Sequence, residues 1–537
     1  MAKFKILVAD NISPIGVDLL KAIDDFEVVF TPKMTQEEVL ETIHEYDALI
    51  VRSRTKARED VIAAGKKLKV IGRAGVGVDN IDRDAANAHG VIVMNTPTGN
   101  TISTAELAFT LLLSAARNIG ASYKSLLEGK WNRKQYQGIE IFNKRLAIIG
   151  MGRIGVEFAK RAQAFGMHVV GYDPFLTQAR ADELKIELAS SPEAALTGAD
   201  AVTLHVPLID STRNIINAES LKLMNKGAIV VNCARGGLVD EQALSDAIAS
   251  GHIGGCGLDV YTEEPPEIEM PELAKTDIFQ HEKHTAFTPH LGASTNEAQE
   301  NVGIQVAEQI RDFLASGEIR NAINMPSLDA EAAQEIGQYL DLGKALGTLL
   351  AQLGIDNPDA LRVSYHGEIS QKDTALVSRT VLYSLLNASS EGEVNIVNAP
   401  AKAKAMGLDL VESTINAKTE YSDLLVAELR KGDVRYRVAG TVIGQIAKVV
   451  EIDKVFVDMG IKGNFLFVRN DDRKGIVGTV GTKLAELDYN IANMSLARNE
   501  ELNSALTIIE VDGEINADIC DALGQVEGIT SAQSVSL

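Results

Sequence analysis

The feature that most constrains the fold is a regular alternation between residue 5 and about residue 323. Short apolar runs are separated there by segments with helical periodicity, and the runs read KILVAD, ALIVRS, KVIGRAG, VIVMN, RLAIIG, HVVGYD, DAVTLHV and AIVVNCAR. Continuous apolar strands with helices between them are typical of parallel sheets covered on both faces. The alternation therefore predicts a doubly wound α/β fold, and eight or more strands favour two such sheets.

The alternation ends near Pro326, and a chain of 537 residues is too long for one hydrophobic core. Helical periodicity predicts helices over Ile336–Leu353 and Thr374–Asn387, with a strand near Leu361–Tyr365 between them. Alternating residues over Tyr436–Met459 predict two or three further strands. No motif in this region indicates chemistry, so we interpret it as an α+β structural or regulatory module.

The last part of the chain predicts a separate small domain. Its elements follow the order βαββαβ, with strands at Asn464–Arg469, Ile491–Arg498, Ser504–Val511 and Ile529–Val535 and helices at Gly475–Leu487 and Ala517–Val526. This is the order of a ferredoxin-like fold. Such a sheet has an open edge, and we expect the same domain of another copy of the chain to cover it.

The charge balance limits the partners of the protein. The chain carries 52 basic and 74 acidic residues, a formal net charge of −22, and has no Lys- or Arg-rich tract. Such a chain repels nucleic acid and anionic membranes, so we expect neither as a partner. An anionic substrate would need a local cluster of arginines.

Cysteine usage and hydropathy indicate a reducing compartment. Cys233, Cys256 and Cys520 stand in no metal-ligand spacing, so we expect buried thiols and no metal site. The chain begins with a strand-like run, and its longest apolar stretch, roughly Ala105–Ala116, is too short to span a bilayer. We therefore expect a cytoplasmic protein.

The strongest local motif is a glycine-rich turn between two predicted strands. Gly150, Gly152 and Gly155 follow the run RLAII and open a predicted helix. The first glycine allows a tight turn, the second lets the backbone approach a pyrophosphate, and the third permits close packing of helix on strand. Asp173 ends the next strand, eighteen residues after the third glycine, where a carboxylate binds ribose hydroxyls and repels a 2′-phosphate. The spacing predicts an NAD site, and a purely structural turn is the alternative.

Three polar residues follow at the carboxyl ends of predicted strands, where ligands bind in open α/β sheets. They are Arg235, Glu264 and His290. Oxidation of a 2-hydroxy acid needs a base for the hydroxyl proton, a carboxylate that orients the base, and a cation for the substrate carboxylate. We assign these roles to His290, Glu264 and Arg235 respectively. Taken singly, each residue has an alternative without a catalytic role: Arg235 and Glu264 as surface charges, and His290 as a structural histidine.

Five stretches resemble the D-isomer-specific 2-hydroxyacid dehydrogenases: GRAGVGVDNID, MGRIG, VNCARGGLVDEQAL, GLDVYTEEPP and TPHLGAST. Within that family they are most similar to the members that oxidise 3-phosphoglycerate. The resemblance implies the roles given above for Arg235, Glu264 and His290. It also implies cofactor contacts at Arg153, Ile154, Asp173, Val206, Pro207, Cys233, Asp259, Gly292 and Ala293.

The resemblance implies a composite arrangement of domains. A substrate-binding domain covers residues 1–98 and 293–325, and an NAD-binding Rossmann domain covers residues 99–292. An intervening domain of residues 326–458 and an ACT regulatory domain of residues 459–537 follow. Hinges are then expected near Gly99 and Gly292, with a domain closure that excludes water from hydride transfer.

The implied substrate carries a phosphate, which needs cations in this acidic chain. Arg52, Arg54, Arg73 and Asn100 match substrate positions of the relatives that act on 3-phosphoglycerate. Arg133 matches a residue that reaches the site of a neighbouring subunit, so the resemblance implies a homodimer or homotetramer. Surface charges without a ligand are the alternative for the first three arginines.

The resemblance also implies regulation by L-serine. In related proteins the amino acid lies between paired ACT domains, and Asp472 and Asn490 match the residues that hold it. Asn470 and Lys474 depart from the pattern of some relatives, so a tail that only pairs subunits is the alternative.

The implied activity is the NAD-dependent oxidation of 3-phospho-D-glycerate to 3-phosphohydroxypyruvate, the first step of L-serine biosynthesis. One alternative keeps the class and changes the substrate, as in glyoxylate/hydroxypyruvate reductases and D-lactate dehydrogenases. A second alternative is an NAD(H)-sensing binding protein that shares the dehydrogenase core.

Overall fold

The computed structural model describes residues 3–264, 277–326, 330–388, 394–415, 420–499 and 504–537. The strands in these ranges form four sheets. Within the same ranges, no helix combines the length and the apolar character that a membrane span requires.

The first sheet is entirely parallel and is built from the beginning of the chain. Its strands are β1 (Phe4–Val8), β2 (Phe26–Phe30), β3 (Ala48–Val51), β4 (Val70–Arg73) and β5 (Ile92–Asn95), in the order β2-β1-β3-β4-β5. The connecting helices are α1 (Pro14–Lys21), α2 (Gln36–Thr42), α3 (Glu59–Ala64) and α4 (Arg83–His89). Strand β3 is buried along its whole length, as its uninterrupted apolar sequence predicts.

The second sheet is also parallel. Its strands are β6 (Arg145–Ile149), β7 (His168–Tyr172), β8 (Glu187–Leu188), β9 (Ala201–Leu204), β10 (Ala228–Asn232), β11 (Ile253–Leu258) and β12 (Thr285–Phe287), in the order β12-β11-β10-β9-β6-β7-β8. Its helices are α5 (Thr101–Ala116), α6 (Ile119–Leu127), α7 (Arg153–Ala164), α8 (Gln178–Leu184), α9 (Pro192–Leu196), α10 (Ala218–Lys222) and α11 (Glu241–Ala249). The strand order reverses between β6 and β9, which opens a ligand crevice at their carboxyl ends. The predicted pair of doubly wound sheets is confirmed.

Helix α12 (Asn296–Ser316) follows the second sheet but packs on the first. Val302 and Ile310 belong to the buried core beside β1, β3 and β4. The helix crosses α1 so closely that a Cβ on Gly16 would lie 2.3 Å from the carbonyl oxygen of Gly303. The first sheet therefore takes a helix from a distant part of the chain, while the domain bounds given above stay predictions.

The third sheet is mixed. Its strands are β13 (Ala360–Gly367), β14 (Asp409–Ile415), β15 (Asp423–Lys431), β16 (Val434–Ile443), β17 (Ile446–Ile452) and β18 (Val455–Met459), in the order β14-β13-β15-β16-β17-β18. Its helices are α13 (Ala330–Leu353), α14 (Ala375–Asn387) and α15 (Ala399–Ala405). The sequence predicted β13, α13, α14 and the strands β16 to β18, but missed β14, β15 and α15. The central strand β15 begins with a continuous apolar run, Leu424–Ala427, and periodicity does not separate such a run from a buried helix.

The fourth sheet closes the chain and is antiparallel. Its strands are β19 (Asn464–Asp471), β20 (Ile491–Asn499), β21 (Ser504–Val511) and β22 (Ile529–Ser536), in the order β20-β21-β19-β22, with helices α16 (Ile476–Glu486) and α17 (Ala517–Gly524). This confirms the predicted ferredoxin-like order. The sequence also predicts that β20 and β21 pair as a hairpin around Asn499–Asn503, of which residues 500–503 lie outside the described residues.

The fourth sheet is less separate than the sequence predicted. The face away from its helices joins the hydrophobic core of the third sheet through Phe465, Phe467, Leu506, Ile508 and Val535. Its edge strand β20 lies beside β18 of the same chain. The two sheets therefore form one packed unit, because a sheet with helices on one side must bury its other apolar face.

This C-terminal unit is attached to the domain of the first sheet. The Asn395 side-chain amide donates to the carbonyl oxygen of Gly90 at 2.8 Å. Leu376, Ile396 and Val397 pack into the same hydrophobic core as α12. Through these contacts the C-terminal unit packs against the domain that carries the predicted substrate arginines.

Candidate active site

The glycine-rich turn lies at the crevice between β6 and β9. Gly150 has φ +98, and a Cβ on it would lie 2.5 Å from the carbonyl oxygen of His205. A Cβ on Gly155 would lie 2.1 Å from the carbonyl oxygen of Gly150, so both positions exclude a side chain. Around Gly152 no described atom lies within 4 Å of the Cβ position, and α7 begins there without a side-chain cap. Free amides facing open space at a helix N-terminus fit the pyrophosphate of a dinucleotide.

Asp173 is held beside this turn. One carboxylate oxygen accepts a hydrogen bond from the Met151 amide at 3.0 Å, and the other accepts one from the Phe175 amide at 2.9 Å. The carboxylate is therefore fixed at the end of β7 with lone pairs left for ribose hydroxyls. This arrangement fits NAD and disfavours the additional phosphate of NADP.

The other predicted cofactor positions surround the same crevice. Val206 and Pro207 follow β9, and Arg153 and Ile154 begin α7. Cys233 follows β10, where burial raises the pKa of its thiol well above the usual value. The thiol therefore presents a neutral surface. Direct contact of these residues with the cofactor stays a prediction.

His290 and Glu264 form a hydrogen-bonded pair at the carboxyl ends of β11 and β12. The carboxylate bonds to Nδ1 of the imidazole, and its other oxygen accepts from the Tyr261 amide at 2.6 Å. The bond to Glu264 raises the pKa of His290 above its ordinary value, against the opposing effect of burial. Because Nδ1 is engaged, Nε2 is the nitrogen that can take a proton from a substrate.

Asp259 fixes the segment that carries His290. One of its carboxylate oxygens accepts from the Thr288 hydroxyl and the Leu291 amide, both at 2.6 Å, and the other accepts from the Gly292 amide at 2.9 Å. The His290 amide donates to the Asp259 carbonyl oxygen at 2.8 Å. The Asp259 carboxylate, which was predicted to contact the cofactor, is thus already hydrogen-bonded within the chain. These bonds hold the segment that carries His290 in place.

Arg73 is the most exceptional cation of the cleft. Its Nε is buried without a hydrogen-bond partner among the described residues. Burial, together with the nearby charges of Arg235 and Arg52, lowers the pKa of Arg73 to about 10. Three guanidinium groups therefore lie close together at this point, and the charges of Asp79 and Asp10 offset their repulsion at Arg73 only in part. A buried cation in such a position favours binding of an anion.

Arg52 and Arg54 lie on a loop organised by Asp10. The buried Asp10 carboxylate accepts from the Arg52 amide at 2.6 Å, from the Thr55 hydroxyl at 2.7 Å and from Nε of Arg54 at 3.2 Å. Nη2 of Arg54 also donates to the Ala9 carbonyl oxygen at 2.8 Å. Arg54 is thus largely committed inside the domain, and Arg52 keeps more donors for a ligand. Asp10 was not predicted as a site residue, although it is the polar residue that ends the apolar run KILVAD.

The two chain crossings between the parallel-sheet domains lie side by side. The Thr104 hydroxyl donates to the carbonyl oxygen of Gly292 at 3.1 Å, and the hydroxyls of Ser103 and Thr295 are 2.7 Å apart. Ala293 lies between these contacts, where its carbonyl oxygen accepts from a glutamine side chain of α12. Adjacent crossings are the geometry that a hinge requires.

Comparison with known proteins decides the family. Residues 109–292 match the family described as D-isomer specific 2-hydroxyacid dehydrogenase, NAD binding domain, and residues 335–453 match the D-3-phosphoglycerate dehydrogenase intervening domain. A D-3-phosphoglycerate dehydrogenase of Methanocaldococcus jannaschii is 38% identical over 99% of this chain and 100% of its own length. The enzyme of the same name from Bacillus subtilis is 36% identical over the same shares. The chain belongs to the D-3-phosphoglycerate dehydrogenase family.

Solved structures agree with this membership for the dehydrogenase core. A glyoxylate reductase from Paecilomyes thermophila has a TM-score of 0.54 at 29% identity and covers 60% of this chain and 99% of its own. The TT0316 protein from Thermus thermophilus has a TM-score of 0.54 at 32% identity, over 60% of this chain and 100% of its own. The core thus shares its fold with these two proteins, whereas the relatives that match over the full length are named D-3-phosphoglycerate dehydrogenases.

Two further residues were expected at the substrate site of a D-3-phosphoglycerate dehydrogenase, Asn100 and Arg133, and they lie in different parts of the structure. Asn100 lies at the chain crossing, and its Oδ1 is buried without a partner among the described residues. Arg133 lies in an exposed 3-10 helix, Arg133–Tyr136, and none of the hydrogen bonds or ion pairs of the described residues joins it to the arginines of the cleft. A role of Arg133 in this chain's own site is therefore unsupported, and a role in a second copy stays a prediction.

The two predicted serine contacts already have partners within the tail. Nε of Arg498 donates to the Asp472 carboxylate at 2.7 Å, and the Asn490 amide donates to Asp512 at 2.6 Å. The register of β19 and β20 against β21 places Asp472 and Asn490 at opposite ends of the sheet. One tail alone therefore does not bring them together.

Proposed function

We propose that this protein catalyses the NAD-dependent oxidation of 3-phospho-D-glycerate to 3-phosphohydroxypyruvate, the first step of L-serine biosynthesis. The observation that carries the proposal is the geometry of the cleft. The imidazole of His290, paired with Glu264, stands near an arginine cluster in which Nε of Arg73 is buried without a hydrogen-bond partner among the described residues. A substrate with two anionic groups and one oxidisable hydroxyl fits this combination.

The residues of the chain divide the reaction between them. Arg235 binds the substrate carboxylate and polarises the forming carbonyl group, while Arg73 and Arg52 bind the phosphate. Nε2 of His290 takes the hydroxyl proton as the C2 hydride leaves, and Glu264 stabilises the imidazolium that forms. The glycine turn and Asp173 would hold NAD, which supplies the hydride acceptor. Closure at the hinge removes water from the reacting atoms.

Initial rates of NADH formation test this proposal. We expect kcat/KM for 3-phosphoglycerate to exceed that for D-lactate by at least about a hundredfold, because the site leaves cations unpaired when the phosphate is missing. Arg73→Gln should raise KM for 3-phosphoglycerate, whereas Arg83→Gln, an exposed arginine of α4, should not. Equal rates with both acids would favour a smaller 2-hydroxy acid, and no turnover of either would favour an NAD(H)-sensing protein.

The assembly is proposed to be a homodimer formed through residues 119–142, with a tetramer as the larger form. Apolar side chains are exposed together in this segment: Ile119, Tyr123, Leu126, Leu127, Trp131 and Phe142. Trp131 is 77% exposed, and a patch of this kind is typical of a protein interface. Arg133 belongs to the same segment, which agrees with its predicted reach into a second subunit. Light scattering of the wild type and of Leu127→Glu should give a dimer or tetramer and a smaller species, respectively.

We further propose L-serine as an effector that binds between the tails of two chains. The opposite positions of Asp472 and Asn490 support a site shared by two copies, since each copy supplies one residue to each site. Because the tail shares a core with the third sheet, the test uses the intact protein rather than the isolated tail. Calorimetry with L-serine should show heat that disappears in Asn490→Ala. Lack of heat at millimolar serine leaves the tail a subunit-pairing role.

A cytoplasmic location is the last part of the proposal. The three cysteines are free thiols, and Cys233 and Cys256 are buried. Free buried thiols are usual in reducing compartments. Fractionation of cells of the source organism should recover the dehydrogenase activity with cytoplasmic markers, and recovery with another compartment would contradict it.

A further inference from the structure

The loop between β4 and α4 carries two glycines against which arginine side chains lie. A Cβ on Gly75 would lie 1.9 Å from Nη1 of Arg73, and a Cβ on Gly77 would lie 1.8 Å from Nη2 of Arg235. The two guanidinium groups therefore occupy the space that side chains would fill at these positions. The loop is a backbone surface shaped for two cations, one from each parallel-sheet domain.

This loop is held at both ends. The Asn95 side-chain amide donates to the carbonyl oxygen of Val76 at 2.6 Å. Near the other end, the Asn80 amide donates to the carbonyl oxygens of Arg52 at 2.7 Å and Thr55 at 2.6 Å. The residue between these anchors, position 79, is consequently presented at a defined place relative to the substrate arginines.

Asp79 occupies that place and crosses the cleft. Nε of Arg235 donates to its carboxylate at 3.2 Å, so the ion pair joins the domain of the first sheet to that of the second. We propose that Asp79 is a positioning residue that sets the orientation of the Arg235 guanidinium for the substrate carboxylate. The inference rests on the proposed function, because it assigns Arg235 to that carboxylate.

The donors of Arg235 show why this pairing does not compete with substrate. A guanidinium has five N–H groups. Nε is taken by Asp79, and Nη1 donates once to the Ala234 carbonyl oxygen at 2.7 Å. One N–H of Nη1 and two of Nη2 remain, and donors from the two nitrogens can bind a carboxylate in a bidentate manner. Asp79 thus engages Nε and leaves these three donors for the ligand.

The negative charge of Asp79 has a second effect, on the repulsion between the arginines of the cleft. Arg73 and Arg235 lie close enough to repel each other, and Asp79 is one of the carboxylates that oppose this repulsion at Arg73. An uncharged residue at position 79 leaves the neighbouring cations to push the Arg235 guanidinium away. The Asp79 side chain is 78% exposed, so its loss should change the site without unfolding the domain.

Asp79→Asn in the full-length enzyme tests the inference. We expect KM for 3-phosphoglycerate to rise about tenfold, with a smaller change in kcat, because a charge-assisted bond is replaced by a neutral one. KM for NAD should stay within about twofold, since the dinucleotide residues lie elsewhere. Asp84→Asn is the matched control, because this exposed acid of α4 undergoes the same charge change nearby.

Two further variants separate positioning from a general effect of charge. Gly77→Ala should raise KM for 3-phosphoglycerate as Asp79→Asn does, because its Cβ displaces Nη2 of Arg235. In an Arg235→Lys background, Asp79→Asn should add little, and fully additive effects would overturn the inference. Failure of the wild type to oxidise 3-phosphoglycerate would contradict the proposed function. An active wild type with an unchanged Asp79→Asn variant would contradict only the role of Asp79.

Discussion

The polar residues of the catalytic cleft and those of the C-terminal tail differ in how fully they are hydrogen-bonded within the chain. In the cleft, Nε of Arg73 is buried without a hydrogen-bond partner among the described residues, and Glu264 engages Nδ1 of His290. In the tail, Asp472 and Asn490 are bonded to neighbouring side chains of the same sheet. The cleft can therefore receive a ligand within one chain. In the tail, a ligand must first displace the internal hydrogen bonds of Asp472 and Asn490.

The difference teaches where each site is assembled. Parallel strands bring their carboxyl ends to one edge, so side chains from separate strands of the chain meet without a second molecule. The antiparallel tail spreads its candidate residues over two ends of the sheet, and the proposed serine site needs a second copy to unite them. Catalysis is thus expected to survive changes in assembly better than regulation does.

The largest effect should follow His290→Ala. We expect kcat to fall about a hundredfold or more, as for a lost general base. NADH affinity should barely change, because the glycine turn and Asp173 hold the dinucleotide. Stopped-flow turnover and fluorescence titration with NADH measure the two quantities. Near-normal turnover would contradict the view that the cleft is complete within one chain.

Glu264→Gln should move the acidic limb of the pH–rate profile to lower pH. The hydrogen bond to Glu264 raises the pKa of His290, and the base must be unprotonated to accept the hydroxyl proton. The wild-type rate therefore falls as pH drops through this raised pKa, and an imidazole without the carboxylate loses its proton more readily. Profiles of kcat/KM for the two proteins measure the shift. An unchanged limb means that the pair does not control the base.

Asp173→Ala should relax the preference for NAD over NADP by several-fold, because removal of the carboxylate removes a repulsion against the 2′-phosphate. The ratio of kcat/KM for the two cofactors measures the change, with 3-phosphoglycerate held at saturation. A wild type that already reduces both cofactors equally would show that the fixed carboxylate does not select.

The smallest effect on turnover should come from the tail. Asp472→Ala should abolish any response to L-serine while kcat without serine stays within about twofold, since the tail supplies none of the proposed catalytic residues. Removal of residues 459–537 is a harsher version of the same experiment, because it also uncovers the core of the third sheet. A serine response that persists in the point variant would place the effector elsewhere.

The sequence predicted the cofactor side of the cleft better than the substrate side. The relative positions of Gly150, Gly152, Gly155 and Asp173 can be predicted from their spacing, because the glycines and the acid lie on consecutive elements. Asp10 and Asp79 were missed as partners of arginines, since each acts across about forty residues or more in a contact that only the tertiary fold creates. The return of α12 to the first sheet was implied by resemblance alone, because its periodicity identifies a helix but not the surface it covers.

That return also sets an order for biosynthesis. The strands of the first sheet leave the ribosome early, but part of their apolar face is covered by α12, which ends at residue 316. At usual translation speeds, the interval between the synthesis of β5 and the end of α12 lasts roughly 10 to 40 seconds. During this time the nascent first domain exposes an uncovered core while the second sheet can already fold. We expect the nascent chain to be most dependent on chaperones in this interval, which cannot be shortened because the residues made during it form the second sheet and carry the candidate active site.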